Sequence, residues 1–146
     1  EYSNLDRTNI TGNATQVGRF LSILQNNIGV MIFTLLFSFI FGAWAIFVLA
    51  WNASVIAAAM GIYSEYKLIN LPLGFARYMI HGIPEITAYF ITALAGGMFG
   101  VGAIRNGIKS RTFRIVLGNV FILLFVALVV LIFAAFIEVY FTPRLF

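Results

Sequence analysis

The chain has 146 residues, of which 62% are hydrophobic and only 10% are charged. Soluble domains are about half apolar and about a quarter charged, and a chain of this length could not bury so large an excess of apolar side chains. The composition therefore excludes a soluble domain and predicts an integral membrane protein. The formal net charge of +4 is better explained by membrane topology than by a phosphate-binding face, so we expect no nucleic-acid partner.

The first part of the chain differs from the rest in being polar and rich in Asn and Thr. We interpret residues 1–25 as an extramembrane lead, in which residues 17–24 form an interfacial amphipathic helix. This lead lacks the charged and then apolar pattern of a signal peptide. Cysteine is absent from the whole chain, which excludes disulfide bonds and thiolate metal sites.

Three long stretches contain no charged residue. They lie between Arg19 and Glu65, between Glu85 and Arg105, and between Arg114 and Glu138. A helix needs about 20 apolar residues to cross a hydrocarbon core about 30 Å thick, and its backbone groups then pair within the segment. We therefore predict full helical spans at about residues 28–50, 85–104 and 115–140.

Two further apolar segments are too short for an ordinary span. Residues 53–63 and 73–82 are each about half a bilayer long as helices, so each is either re-entrant or a short crossing. Pro84 is expected to break or kink the chain before the second full span. The predicted fold is all-α: a polytopic transmembrane bundle in which residues 26–146 form the membrane domain.

Small residues follow one face of the second full span. Ala88, Thr92, Gly96 and Gly100 recur at four-residue spacing, which lets helix backbones approach closely in lipid. We expect this helix at the centre of the bundle or at an oligomer interface, although glycine is also simply commoner in membrane helices. The last span is uniformly apolar, which favours a lipid-facing position.

Positive charge is concentrated in one short loop, residues 105–114. It contains Arg105, Lys109, Arg111 and Arg114 and no acidic residue, so we expect it to be cytoplasmic and the C-terminus to lie outside. The side of the N-terminus depends on the short segments. Glycosylation sequons beginning at Asn9 and Asn13 favour the outside, which requires a crossing near residues 53–66.

His81 and Glu85 are the leading candidates for chemistry, because ionisable groups at membrane depth are costly and often functional. On a continuous helix they would share one face. A proton relay, a metal pair and a hydrolase centre are the functional interpretations. The alternative is an interfacial histidine and a glutamate that caps the second span. The chain has one histidine, which argues against a zinc hydrolase.

Other polar residues near helix ends extend this candidate site. Glu138 and Asn52, with Asn26, Asn27 and Asn119, either line a wet cavity near broken helices, as in transporters, or cap and join helices. The chain has no phosphate-binding glycine loop, nucleophile elbow or paired-carboxylate motif. We therefore predict that it is not an enzyme and needs no metal or other cofactor.

Several motifs together resemble the stage II sporulation protein M-like integral membrane family. They are Asn26-Asn27, Trp51-Asn52-Ala53-Ser54-Val55-Ile56, His81-Gly82-Ile83-Pro84-Glu85-Ile86, the glycines Gly96, Gly97 and Gly100, and Ile137-Glu138. The resemblance covers about residues 24–138. Ile80 stands where the family usually has Pro before the histidine. The family usually begins with one further helix, so the resemblance implies the later spans of a longer or divergent member.

The resemblance implies a polytopic helical protein and assigns no catalytic residue. The bacterial namesake is a non-catalytic membrane partner of cell-wall hydrolases during engulfment. We therefore expect a membrane scaffold or complex subunit whose partners are the lipid bilayer and either copies of itself or other membrane subunits. A small channel or secondary transporter, with a polar site at Asn52, His81, Glu85 and Glu138, is the alternative.

Overall fold

The computed structural model describes residues 15–41, 44–63, 69 and 71–145. The predicted lead up to residue 14, its sequons and the polar stretch 64–68 lie outside these residues. The described residues form helices and no strand, which confirms the all-α prediction. The elements in chain order are α1 (Gln16–Phe41), α2 (Trp44–Tyr63), α3 (Leu71–Asn106), α4 (Arg111–Phe136), a π-helical turn (Ile137–Phe141) and α5 (Thr142–Leu145).

Three of the helical segments have the length and apolar composition needed to cross a membrane. They are Gln16–Ile40, Leu71–Asn106 and Arg111–Leu145, and the apolar stretch Ile46–Ile62 of α2 is shorter. The chain is therefore a transmembrane helical protein.

The helix boundaries differ from the expected spans. The expected span 28–50 covers parts of both α1 and α2, and the expected segments 73–82 and 85–104 are one continuous helix, α3. Pro84 lies inside α3 and removes a single backbone hydrogen bond. Packing on both sides of it holds the helix together, because Gly82 lies against Ile56 of α2 and Ala88 is fully buried.

The four long helices alternate in direction. Asn27 of α1 meets Glu85 of α3, and Phe39 of α1 meets Gly100, so these two helices run parallel. α2 runs antiparallel to α3, since Val48 packs with Ala88 and Tyr89 while Ile56 reaches Gly82. α4 is also antiparallel to α3, because Val116 contacts Gly102 and Thr142 lies beside His81. The result is an up-down-up-down bundle.

This alternation gives the bundle two distinct ends. The basic end holds the short loop between α3 and α4, in which Gly107 has a φ of 71° and the Ser110 hydroxyl accepts the Phe113 N–H at 3.0 Å. These two features end α3 and start α4. We call the opposite end, where α1 and α3 begin and α4 ends, the polar end.

α3 is the central helix and packs against α1, α2 and α4. Its small-residue face lies against α1: a Cβ added at Gly96 would stand 2.8 Å from the Leu35 carbonyl oxygen and 2.8 Å from Ser38 Cβ. One added at Gly100 would stand 2.7 Å from the Phe39 carbonyl oxygen. The stripe therefore brings two helices of the same chain into backbone contact.

α4 is less lipid-facing than its uniform composition indicates. Val120, Ala127, Leu131 and Ala134 form a buried face against the bundle, while Phe121, Ile122, Phe125 and Phe133 on the other faces are exposed. Apolar side chains suit both lipid and a packed helix interface, so the sequence could not distinguish the two faces.

We predict that Gly96→Ala destabilises the folded chain by about 1–3 kcal/mol, because a methyl group there collides with backbone rather than with a flexible side chain. Gly97→Ala is the matched control, since a Cβ at Gly97 meets nothing within 4 Å. Thermal unfolding of both purified variants in detergent measures the difference. Equal melting temperatures for the two variants would contradict the close contact between α1 and α3.

Candidate functional site: a polar cluster between the helices

A short hydrogen bond joins α1 to α3 at the polar end. Asn27 Nδ2 donates to Glu85 Oε1 at 2.6 Å, and Asn26 Nδ2 donates to Asn27 Oδ1 at 3.4 Å. Asn27 is only 6% exposed. An amide donor on a carboxylate is a strong pairing away from water, so this bond offsets part of the cost of placing Glu85 within the bundle.

A second polar contact joins α3 to the end of α4. Thr142 Oγ1 lies 3.5 Å from His81 Nδ1 and 3.3 Å from the Ile137 carbonyl oxygen. The hydroxyl can donate to that carbonyl while it accepts from the imidazole N–H. Tyr78 lies edge-on to the His81 ring, with the centroids 6.2 Å apart.

The π-helical turn places Thr142 in this contact. The Thr142 N–H bonds the carbonyl of Ile137, five residues earlier. Pro143 follows directly; it has no N–H to donate to the Val139 carbonyl, and its ring crowds that carbonyl, so the turn before it widens. Thr142 is consequently buried, whereas Pro143 is exposed.

The polar residues surround two connected cavities at this end. A crevice of about 420 Å³ is lined by Asn26, Asn27, His81, Glu85 and Glu138, together with residues of α2. A smaller pocket of about 200 Å³ shares His81 and Glu138 with the crevice and adds two cationic side chains. These are Arg19 of α1 and Arg77 of α3.

Three of the four candidate site residues lie together. His81, Glu85 and Glu138 line the same crevice. Glu85 lies well inside α3, so it does not cap a helix, and its hydrogen bond reaches α1 while the contact of His81 reaches the end of α4.

Asn52 does not line that crevice. Its side chain donates to the Val48 carbonyl at 2.9 Å within α2, and it lines a groove between α1 and α2. This groove adjoins the crevice, since both are lined by Ser22 and Asn26.

The structure adds residues that sequence reasoning left out of the site. The sequence predicts Asn27 either as a lining residue of a wet cavity or as a helix cap, and it assigns no place in the site to Thr142, Arg19 or Arg77. A weak signal existed on α3, where Arg77, His81 and Glu85 recur at four-residue spacing. No comparable signal in sequence links Thr142 to His81, because their contact depends on the π-helical turn.

The arrangement provides two carboxyl groups on different helices, an imidazole and two guanidinium groups at its rim. Among the described residues, no group of three or more His, Asp or Glu side chains is close enough to hold a metal ion. The carboxyl and guanidinium groups of the cluster are suited to charged or hydrogen-bonding ligands.

We predict that Asn27→Ala destabilises the chain by about 1–3 kcal/mol, because the half-buried Glu85 carboxyl group loses its donor. Asn52→Ala is the control: it also removes an amide, but one that bonds only a carbonyl of its own helix. A double-mutant cycle of Asn27→Ala with Glu85→Ala, followed by thermal unfolding, isolates the pair. Strictly additive effects would contradict the bond.

Comparison with known proteins identifies the family of the chain. The sequence model described as stage II sporulation protein M matches residues 1–143. The chain therefore belongs to the stage II sporulation protein M family, as the resemblance predicted. No curated protein and no solved structure matches it, so the roles of the polar residues rest on their geometry.

Proposed function

Because the chain is a transmembrane member of the stage II sporulation protein M family, we propose that it is a non-catalytic membrane scaffold or complex subunit. Its partner is a membrane-embedded helix of another chain, either a second copy or a different subunit. The observation that carries this proposal is an open groove lined by α3 and by Val116 of α4 near the basic end.

This groove has a volume of about 690 Å³ and is lined by Gly97, Met98, Val101, Arg105 and residues nearby. A Cβ at Gly97 would meet nothing within 4 Å, and Val101 is 55% exposed. Glycine inside a helix is unfavourable by about 0.5–1 kcal/mol relative to alanine. The contact with α1 explains why glycine occupies positions 96 and 100. Close approach of a further helix explains why glycine occupies position 97.

We predict that Gly97→Leu releases the chain from its complex without unfolding it. The measurement is native gel migration of the tagged chain extracted from its own membranes in mild detergent, with thermal unfolding in parallel. Gly118→Leu is the matched control, since Gly118 also has open space around its Cβ position but does not line the groove. A wild-type chain that migrates as a monomer would contradict the proposal.

The proposed orientation follows from the basic end. Short loops with an excess of positive charge lie on the cytoplasmic side of a membrane. We therefore place the basic loop on that side, with its residues Arg105, Lys109, Arg111 and Arg114. Glu85 is twenty residues before Arg105 on α3, which is about 30 Å at the rise of an α-helix and equals one hydrocarbon thickness. With α2 as a crossing, the polar end and both ends of the described chain lie outside.

We predict that a membrane-impermeant maleimide added to intact cells labels Gln16→Cys and Leu145→Cys but not Lys109→Cys. Each site is exposed, and the natural chain contains no cysteine. Permeabilised cells provide the control, in which all three variants must react. Labelling of Lys109→Cys in intact cells would contradict this orientation and indicate the opposite one.

A channel or transporter is the second candidate, and the convergence of His81, Glu85 and Glu138 on one crevice favours it. The bundle centre below the crevice argues against it. Val48, Ala88, Tyr89, Ala127 and Leu131 pack there into one buried cluster, and Tyr89, one turn from Glu85, is only 1% exposed. A conduit through the chain would have to open this cluster.

We therefore predict that reconstituted vesicles containing the chain are no more permeable to protons, Na⁺ or K⁺ than empty vesicles. Entrapped pyranine under imposed ion gradients measures this permeability. A flux that Glu85→Gln abolishes while the variant stays folded would reject the scaffold in favour of a transporter.

A further inference from the structure

Three cavities at the polar end form one continuous surface from the membrane-facing side of the bundle to its charged rim. A groove of about 770 Å³ between α1 and α2 shares Ser22 and Asn26 with the crevice described above. The crevice in turn shares Tyr78, His81 and Glu138 with the small pocket. A single elongated molecule can therefore contact all three.

The groove changes character along its length. One part is lined by Val30, Phe33, Phe47 and Val48. The part that leads into the crevice is polar, with Ser22, Gln25, Asn26 and Asn52. Such a gradient matches a molecule with an apolar chain and a polar head. Asn52 lies in the polar part of this groove.

The charged side chains of the small pocket and the crevice indicate which polar head group fits there. The small pocket presents Arg19 and Arg77 together with Glu138, and the crevice adds Glu85. A simple anion would face two carboxyl groups, and a simple cation would face two guanidinium groups. A head that carries both a phosphate and an ammonium group satisfies both, since guanidinium pairs well with phosphate and carboxylate with an N–H-bearing cation.

We propose that the groove, the crevice and the small pocket together bind one phospholipid with an amine-bearing head group. Its acyl chain lies between α1 and α2. Its head group folds over the crevice, so that the phosphate meets Arg19 and Arg77 at the rim and the ammonium group turns back to Glu138 and Glu85. The site lies about 30 Å along α3 from the basic loop, which is the separation of the two surfaces of a hydrocarbon core. This proposal does not rest on the scaffold function.

The test titrates the purified full chain with dioleoyl phosphatidylethanolamine, phosphatidylcholine or phosphatidylglycerol and measures bound lipid by native mass spectrometry. We expect phosphatidylethanolamine to bind most tightly, because the quaternary ammonium of phosphatidylcholine has no N–H and phosphatidylglycerol has no cation. Joint replacement Glu85→Gln and Glu138→Gln should weaken phosphatidylethanolamine binding about tenfold and remove its preference over phosphatidylcholine.

Two further variants keep the test independent of the folding of the glutamine variant. Arg19→Gln with Arg77→Gln should weaken all three lipids, whereas the matched pair Arg111→Gln with Arg114→Gln at the basic end should change none. Gly29→Leu fills the groove at a position with open space around the Cβ and should weaken all three lipids. Gly118→Leu on α4 should not.

Water-soluble glycerophosphoethanolamine distinguishes a lipid from a free head group. We expect it to bind much more weakly than the lipid, because it cannot use the groove. Equal binding of the head group and the lipid would overturn the assignment of the groove. Equal binding of the three lipids, unchanged in the charge and groove variants, would mean ordinary surface lipid and would overturn the proposal.

Discussion

The rest of the structure depends on the close approach of α1 and α3. At Gly96 and Gly100 there is no room for a side chain between α3 and the backbone of α1 at Leu35 and Phe39. Lipid supplies no hydrophobic force between helices, so this contact is held by dispersion and shape. It sets the axial register of two parallel helices, and the polar contacts near their other ends follow from that register.

The register explains why the polar cluster exists at membrane depth. With α1 fixed against α3, Asn27 reaches Glu85 and provides the hydrogen bond that a carboxyl group needs within the bundle. The same packing fills the bundle centre around Tyr89 and Leu131. A polar crevice at one end of the bundle, above a packed centre, is better suited to binding a ligand than to conducting ions. The proposed scaffold role and the proposed lipid site are therefore compatible.

Much of the fold could be predicted from sequence, because charge-free runs directly report the cost of placing charges in lipid. The four-residue spacing of Gly96 and Gly100 also predicts a close-packing face on α3. The spacing does not indicate which helix packs against that face. Pro84 predicts a break that packing on both sides prevents. The pairing of Asn27 with Glu85 and of Thr142 with His81 joins distant parts of the chain, so no local pattern contains it.

The most direct measurement is cross-linking of Phe39→Cys to Phe99→Cys by a short bifunctional thiol reagent in the otherwise cysteine-free chain, followed by native gel migration of the locked protein. These two rings meet between α1 and α3 beside the glycine contact, with their centroids 5.1 Å apart. The account predicts rapid cross-linking of this pair, little cross-linking of the control pair Phe39→Cys with the exposed Val101→Cys, and an unchanged complex after locking. Failure of the first pair to cross-link in the folded chain would contradict the register. Loss of the complex on locking would contradict a static scaffold.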